Sequence, residues 1–578
     1  MTQKTPRTID PVSLTMYWNK LLAIVDEATV TLLRTAFSRV VTDSWDFSCA
    51  LFDVQGEMIA QGRHGLPSFI GCLALAVKDF LHVYPPEQLE PGDTLMTTDP
   101  WIGASQINDV FLVTPIFYNG RIVAYAANVS HSPDVGGRLL SAESSEIFEE
   151  GFRLPVVKLF RRGEPNEDLF RIIRLNVRVP DIVVGDLLAQ LASNQIMARR
   201  ITEFLEEKQL DDLEALAAEI TDRSEVAIRR ALTAIPQGIY HGELETDGFD
   251  RPILLKLALT VDEDGVLFDF TGSSPQDEHG VNCVWRYAYA ELCHAVICVA
   301  RPSSPVNGIT LRPFRFFAPE GTIVNPMYPA ALGARAMISM FMGTLVFRTL
   351  AQTVPSHVIA DSHSPPHISA FMGSSRTGRR YVETMLLNGG LGARPTMDGV
   401  NALGWPANIS TVQLEVTENE KPLQFLRKEL LTDTCGAGRF RGGMSQCLEV
   451  RSQAPDPISV AMRLDRVHHP PLGLFGGRPG ASALATINGQ PIHPKKIVRL
   501  ARGDVFRVQV AGAGGYGDPQ ERDPRKVLED VLDEYLSPEQ ARRDYLLVVD
   551  TDQGVIDWEA TRKLRGETSS FDSPSLPT

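Results

Sequence analysis

Residues 99–137 read DPWIGASQINDVFLVTPIFYNGRIVAYAANVSHSPDVGG. Two apolar runs, 110–117 and 122–129, flank Asn119-Gly120. Asn-Gly supplies both positive-φ positions of a tight hairpin turn, so the stretch is expected to fold as two antiparallel strands. In such a hairpin the start of one arm lies beside the end of the other. Gln106 and Asp109 precede the first arm, and His131 and Asp134 follow or close the second. All four therefore gather at one end of one ribbon. A carboxylate, an imidazole and a second carboxylate are the material of a metal or acid/base site; an ordinary surface-loop cluster is the alternative.

Working outward, residues 12–40 carry an apolar stripe at helical spacing. Next comes a short hairpin over 47–60, turning at Val54-Gln55-Gly56, with Asp46 at its mouth. That acid either closes the strand or joins the site. A helix over 71–84 and a strand over 94–97 lead into the central hairpin. After it, Glu146, Glu149 and Glu150 lie close enough in sequence to return to the hairpin's end; a solvated loop is the alternative. Residues 183–232 read as a helical hairpin whose charged faces meet solvent or a partner subunit.

From Gly238 the period changes to two, giving strands over 243–249, 254–261 and 266–270. Helices follow over 287–299 and 336–350. Gly333-Ala334-Arg335 just before the latter marks either an anion-holding helix start or close packing. His363 and His367 have the spacing of a helical metal pair, but Pro365 and Pro366 argue against a helix there. The glycine-rich runs 389–395, 436–443 and 512–519 lack the features of a P-loop or dinucleotide fingerprint and read as tight turns. Short strands over 448–510, helices over 524–535 and 538–544, and a Ser/Pro-rich disordered tail complete the chain. The expected fold is α+β, a mixed multi-layer architecture with a helical-hairpin insertion and a β-rich C-terminal region. Its expected segments are 10–182, 183–235, 236–405, 406–522, 523–565 and the tail 566–578.

The 578 residues carry a net charge of −15, with 43% hydrophobic and 22% charged residues. That is the balance of a globular chain, and its sign argues against general binding to nucleic acid or an anionic membrane. Seven cysteines, none spaced CxxC, indicate reduced thiols rather than a disulfide framework. With no signal-peptide core and no long apolar run, the expected location is the cytoplasm.

Taken in order, several motifs resemble one family. They are DFSCALFD (46–53), the DPW stretch (99–117), HSPDVGG (131–137) and EIFEEGFRLPVVKL (146–159), then DFTGSSPQ (269–276), GAGRFRGG (436–443) and GAGGYGDP (512–519). This is the pattern of the B-type subunit of the hydantoinase/oxoprolinase family, which includes ATP-dependent hydantoinases, 5-oxoprolinases, caprolactamase, and acetone and acetophenone carboxylases. The resemblance covers nearly the whole chain.

It implies an ATP-dependent hydrolase that opens a hydantoin, lactam or 5-oxoproline ring. An A-type partner would bind ATP and Mg and phosphorylate the substrate, in a hetero-oligomer such as α2β2. The family's metal ligands fall on Asp46, Gln106, Asp109 and His131, for a divalent metal such as Zn or Mn. Three of these match in type; Gln106 stands where the family has a histidine, and a neutral amide is a poorer ligand than imidazole. Asp134 and Glu150 are the implied catalytic or outer-shell acids. Two rival readings stay open: a subunit of an ATP-dependent ketone carboxylase, and a structural subunit without chemistry of its own.

Overall fold

The computed structural model describes residues 9–566; the expected tail, 566–578, lies almost entirely outside them. The central hairpin forms as expected. Its arms are two of seven strands: β1 (Phe47–Phe52), β2 (Met58–Gln61), β3 (Thr94–Thr97), β4 (Asp109–Tyr118), β5 (Arg121–His131), β6 (Val157–Arg161) and β7 (Glu164–Pro165). They form an antiparallel sheet in the order β2-β1-β5-β4-β3-β6-β7. Asn119 and Gly120 at the turn have φ of 49° and 78°. This turn sets the register that pairs Asp109 with His131 at the far end.

Both faces of the sheet are buried, which is why its strands read as near-continuous apolar runs. On β1, Phe47, Cys49 and Leu51 meet helices α1 (Pro11–Thr35), α5 (Pro180–Lys208) and α6 (Glu214–Leu232). The alternate residues Ala50 and Phe52 meet α3 (Pro67–Val83), backed by α7 (Trp285–Ala300). The α5 side also carries an amide network. Asn128 Nδ2 donates to Asn194 Oδ1 (2.9 Å) and Gln190 Nε2 donates to Val110 O (2.9 Å), fastening α5 to both arms of the hairpin.

Three helical expectations are corrected. The first helix stops at Thr35, and a short α2 (Arg39–Thr42) follows. The break is held from α5, where Asp186 Oδ1 accepts from Phe37 N (2.7 Å) and Ser38 N (3.0 Å). Asp186 is buried, so the polar side of the helical hairpin is partly internal rather than wholly at solvent. α3 begins at Pro67, four residues earlier than expected, because proline suits the first helical turn. The segment expected as one helix splits into α8 (Ala336–Ser339) and α9 (Met342–Leu350). A further helix, α4 (Glu167–Asn176), was not legible as such.

The period-two region forms β8 (Gly238–Thr246), β9 (Ile253–Asp262), β10 (Gly265–Asp269) and β11 (Phe314–Phe317), in the order β11-β10-β9-β8. The later strands are β12 (His367–Ser374), β13 (Arg380–Leu387), β14 (Leu423–Leu430), β15 (Gln446–Ser452), β16 (Ile458–Arg463), β17 (Leu484–Ile487), β18 (Gln490–Pro491), β19 (Val498–Leu500) and β20 (Val505–Gln509). They divide into sheets β13-β12-β16-β19 and β14-β15-β20-β17-β18. The glycine-rich runs are backbone packing points: a Cβ on Gly442 would lie 2.0 Å from Ala513 O. Layers of helix and several sheets make the fold α+β. Among the described residues, all seven cysteines are free thiols, and no helix is long and apolar enough to cross a membrane.

Candidate active site

The end of the central hairpin opens on a cavity of about 30 Å³, lined by Asp46, Gln106, His131, Tyr287, Arg335 and Arg463 among others. That volume holds about one water molecule. Asp46 joins the hairpin because its carbonyl accepts from His131 N (3.0 Å), just before β1 pairs with β5. Trp45 and Ser105, immediately before Asp46 and Gln106, hold the left-handed φ values of 61° and 64°. Non-glycine residues adopt that region only where the surroundings impose it, and such strain clusters at functional sites.

His131 is buried, and its Nδ1 lies 2.8 Å from Asp109 Oδ1. The other oxygen, Asp109 Oδ2, accepts from Arg335 Nη2 at 2.5 Å, so Asp109 is a paired carboxylate that only accepts. Nδ1 therefore donates to Asp109, and Nε2 is the other nitrogen of a side chain on the cavity wall. Part of Asp46 reaches solvent, yet its Oδ1 is buried with no hydrogen-bond partner. Burial, with Asp109 nearby, pushes the Asp46 pKa up against the pull of His131 and the two arginines. The site thus holds one carboxylate paired with a guanidinium and one, Asp46, biased towards its protonated form.

Arg335 and Arg463 are the residues that sequence reasoning missed as site groups. Arg335 also donates to Ala104 O, and its guanidinium lies 3.9 Å from the Tyr287 ring centroid. Arg463 Nη1 donates to Gly333 O (3.1 Å) while its Nε has no partner; burial and the adjacent Arg335 pull its pKa down to about 9. The signal for Arg335 was the Gly333-Ala334-Arg335 run. Gly333 is needed there because a Cβ would sit 2.6 Å from Ser141 O. Arg463 ends β16 with no local mark of function.

The expected acids take different places. Glu150 is buried, and its Oε1 accepts from Leu332 N and Gly333 N, both at 2.6 Å. Gly333 O in turn accepts from Gln106 Nε2 (2.6 Å), so Glu150 reaches the cavity only through this peptide. Burial pushes its pKa up to about 8. Asp134, expected as an outer-shell acid or base, instead accepts from Gly136 N, Arg178 N, Arg178 Nη1 and Val179 N ahead of α5. It does not line the cavity. His363 and His367 form no pair: Nδ1 of the first donates to Gly390 O and Nδ1 of the second to Arg463 O.

These residues fit a resident divalent ion poorly. Both Asp109 oxygens are engaged, by His131 and Arg335, Gln106 is neutral, and burial biases Asp46 towards its protonated form. Among the described residues, no three or more His, Cys, Asp or Glu side chains are grouped to hold a metal. What the arrangement can do is move a proton at His131 Nε2, donate one from Asp46, and hold negative charge against Arg335 and Arg463.

The chain is 32% identical over 574 residues to an uncharacterized protein of Methanocaldococcus jannaschii, covering 96% of this chain and all of that protein. It is 29% identical over 600 residues to the caprolactamase subunit beta of Pseudomonas jessenii, covering 96% and 99% of the two chains. The solved structure of ATP-dependent caprolactamase from the same organism superposes with a TM-score of 0.90 at 27% identity, over 97% of this chain and 100% of that one. A sequence model of the hydantoinase B/oxoprolinase family matches residues 10–519. The chain belongs to the hydantoinase B/oxoprolinase family.

Proposed function

We propose that this chain is the B-type subunit of an ATP-dependent amidohydrolase, which opens a cyclic amide that an A-type partner has phosphorylated on its carbonyl oxygen. The observation that carries the reading is the convergence of Asp46, the Asp109-oriented His131 and two guanidiniums on one water-sized cavity. Phosphorylation removes amide resonance and leaves an electrophilic carbon. His131 Nε2 accepts a proton from water as the oxygen adds to that carbon, and Arg335 and Arg463 hold the phosphoryl charge. Asp46 supplies a proton to the ring nitrogen as the C–N bond breaks. Both of the water's protons finish on nitrogen and an acyl phosphate remains; a second water then releases phosphate and the carboxylate.

A separate pocket of about 410 Å³ lies beside the cavity. Leu66, Ala407 and Ile409 line the cavity, while the alternating Gly65, Pro67, Pro406 and Asn408 line the pocket, so one thickness of chain divides them. Its titratable groups offer no free cation. Burial pulls His294 down to about pKa 4, and Arg63 pairs with Asp26 at 3.0 Å.

The test is phosphate release by the chain with its A-type partner on 5-benzylhydantoin, caprolactam and 5-oxoproline, with and without bicarbonate. The expected result is ring opening without bicarbonate. Consumption of a ketone that depends on bicarbonate would overturn it in favour of carboxylation. Elemental analysis is expected to find no stoichiometric zinc or manganese, with activity unaffected by chelation; a tightly held ion would show that Arg335 gives way to it.

A further inference from the structure

A second cleft, of about 430 Å³, is lined by four arginines: Arg138, Arg178, Arg380 and Arg499. Asp456 is the acid on its wall. Two of the guanidiniums are committed: Arg138 pairs with Glu149 (2.6 Å) and Arg178 with Asp134 (2.8 Å). Arg380 and Arg499 make no hydrogen bond or ion pair among the described residues. In a chain of net charge −15, two unpaired guanidiniums facing one cleft are a local reversal of sign.

Strand register shows how they come together. Ser374 pairs with Arg380, Met372 with Ser459, and Ser459 with Arg499 across β13-β12-β16-β19. Directly paired residues share a face, and so do residues two apart on a strand. Arg380 and Arg499 therefore rise from opposite edges of one sheet face, with Ser374 and Ser459 between them. Tyr381, buried and with its hydroxyl unpartnered, also lines the cleft.

The same face carries the candidate active site. Ile368, paired with Leu386 and Arg463, lines the small cavity, and Met372 lies four residues along β12. At strand rise that is about 13 Å. Leu139 and Leu140 pack on Ala370 and Ala461 in the interval. They belong to a segment in which Gly136, Gly137, Leu139 and Leu140 all have positive φ.

We propose that this cleft is a second ligand site, one that binds a phosphate group. Arginine forks match phosphate oxygens in pairs, and the serine hydroxyls donate between them. The group has two possible sources, free inorganic phosphate or a phosphorylated molecule such as a nucleoside diphosphate. The site needs no turnover and does not depend on the hydrolase reading.

Isothermal titration of the full chain, without any partner, tests it with inorganic phosphate in one arm and adenosine diphosphate in the other. Expected is saturable binding of phosphate that the R380Q/R499Q variant weakens at least about tenfold. Because both arginines are exposed, the variant should melt with the wild type. R376Q, which alters a nearby arginine outside the cleft, should bind as the wild type does. Competition between the arms assigns the source: diphosphate that displaces phosphate shows a nucleotide can occupy the site, and diphosphate that does not bind shows free phosphate does. Any phosphate bound at the buried Arg335 and Arg463 would persist in R380Q/R499Q. No saturable binding at millimolar phosphate, or binding unchanged in R380Q/R499Q, overturns the proposal.

Discussion

At the scale of single residues, Asp109 is the hinge of the site, because its two oxygens face an imidazole and a guanidinium. Removing Arg335 would strip the buried Asp109 of its guanidinium and leave Oδ2 without a partner, and breaking such a pair typically costs about 3–5 kcal/mol. R335M is therefore expected to be destabilised by that order in urea unfolding. R335M/D109N, which removes the orphaned charge, is expected to recover a large part of the loss. Equal stability of R335M and R335M/D109N would contradict the pairing.

Glu150 gives a pH test. Its folded pKa, about 8, lies above its ordinary value of 4.5, so the folded chain binds this proton more tightly than the unfolded chain. The stabilisation is complete below pH 4.5 and is lost as pH rises through about 8. E150Q keeps an oxygen for Leu332 N and Gly333 N but cannot ionise. Its melting temperature relative to wild type should rise between pH 5 and pH 8; a constant difference would show that Glu150 is already ionised in the fold. Asp46, Asp109 and His131 were legible because they stand in recognisable motifs. Arg335 and Arg463 were not, since they lie 226 and more residues from Asp109 in sequence and are brought to it only by tertiary packing.

At the scale of elements, the hairpin could be read because Asn119-Gly120 fixes its turn and the turn fixes its register. The break between α1 and α2 could not be, because 36–38 contains neither glycine nor proline and the apolar period runs on. What stops the helix is Asp186, 148 residues from Ser38. D186A would strand two backbone donors, at about 1–3 kcal/mol each. It should lower the urea midpoint without changing the m-value. An unchanged midpoint would mean that Phe37 and Ser38 are satisfied another way. The split between α8 and α9 was hidden for a different reason: a segment apolar on all sides has no phase in which a break can show.

At the scale of the whole molecule, the first sheet supplies Asp46, Gln106, Asp109 and His131 from one of its ends. The loop before α8 supplies Arg335, and the third sheet supplies Arg463 and the opposite wall. The α+β class was legible from the change of period along the chain, and the family from the order of its motifs. The sheet-to-sheet contact that completes the cavity joins residues more than 300 apart in sequence, such as His131 and Arg463, and no local pattern encodes it. The proposed function puts the hydrolytic step on this chain rather than on an A-type partner. The direct measurement is ring opening and ATP consumption by the two-subunit enzyme carrying H131Q. Removal of a general base typically lowers the rate about 10²–10⁴-fold. Ring opening is expected to fall in that range while the partner still forms the phosphorylated species; ring opening at the wild-type rate would contradict the proposed function.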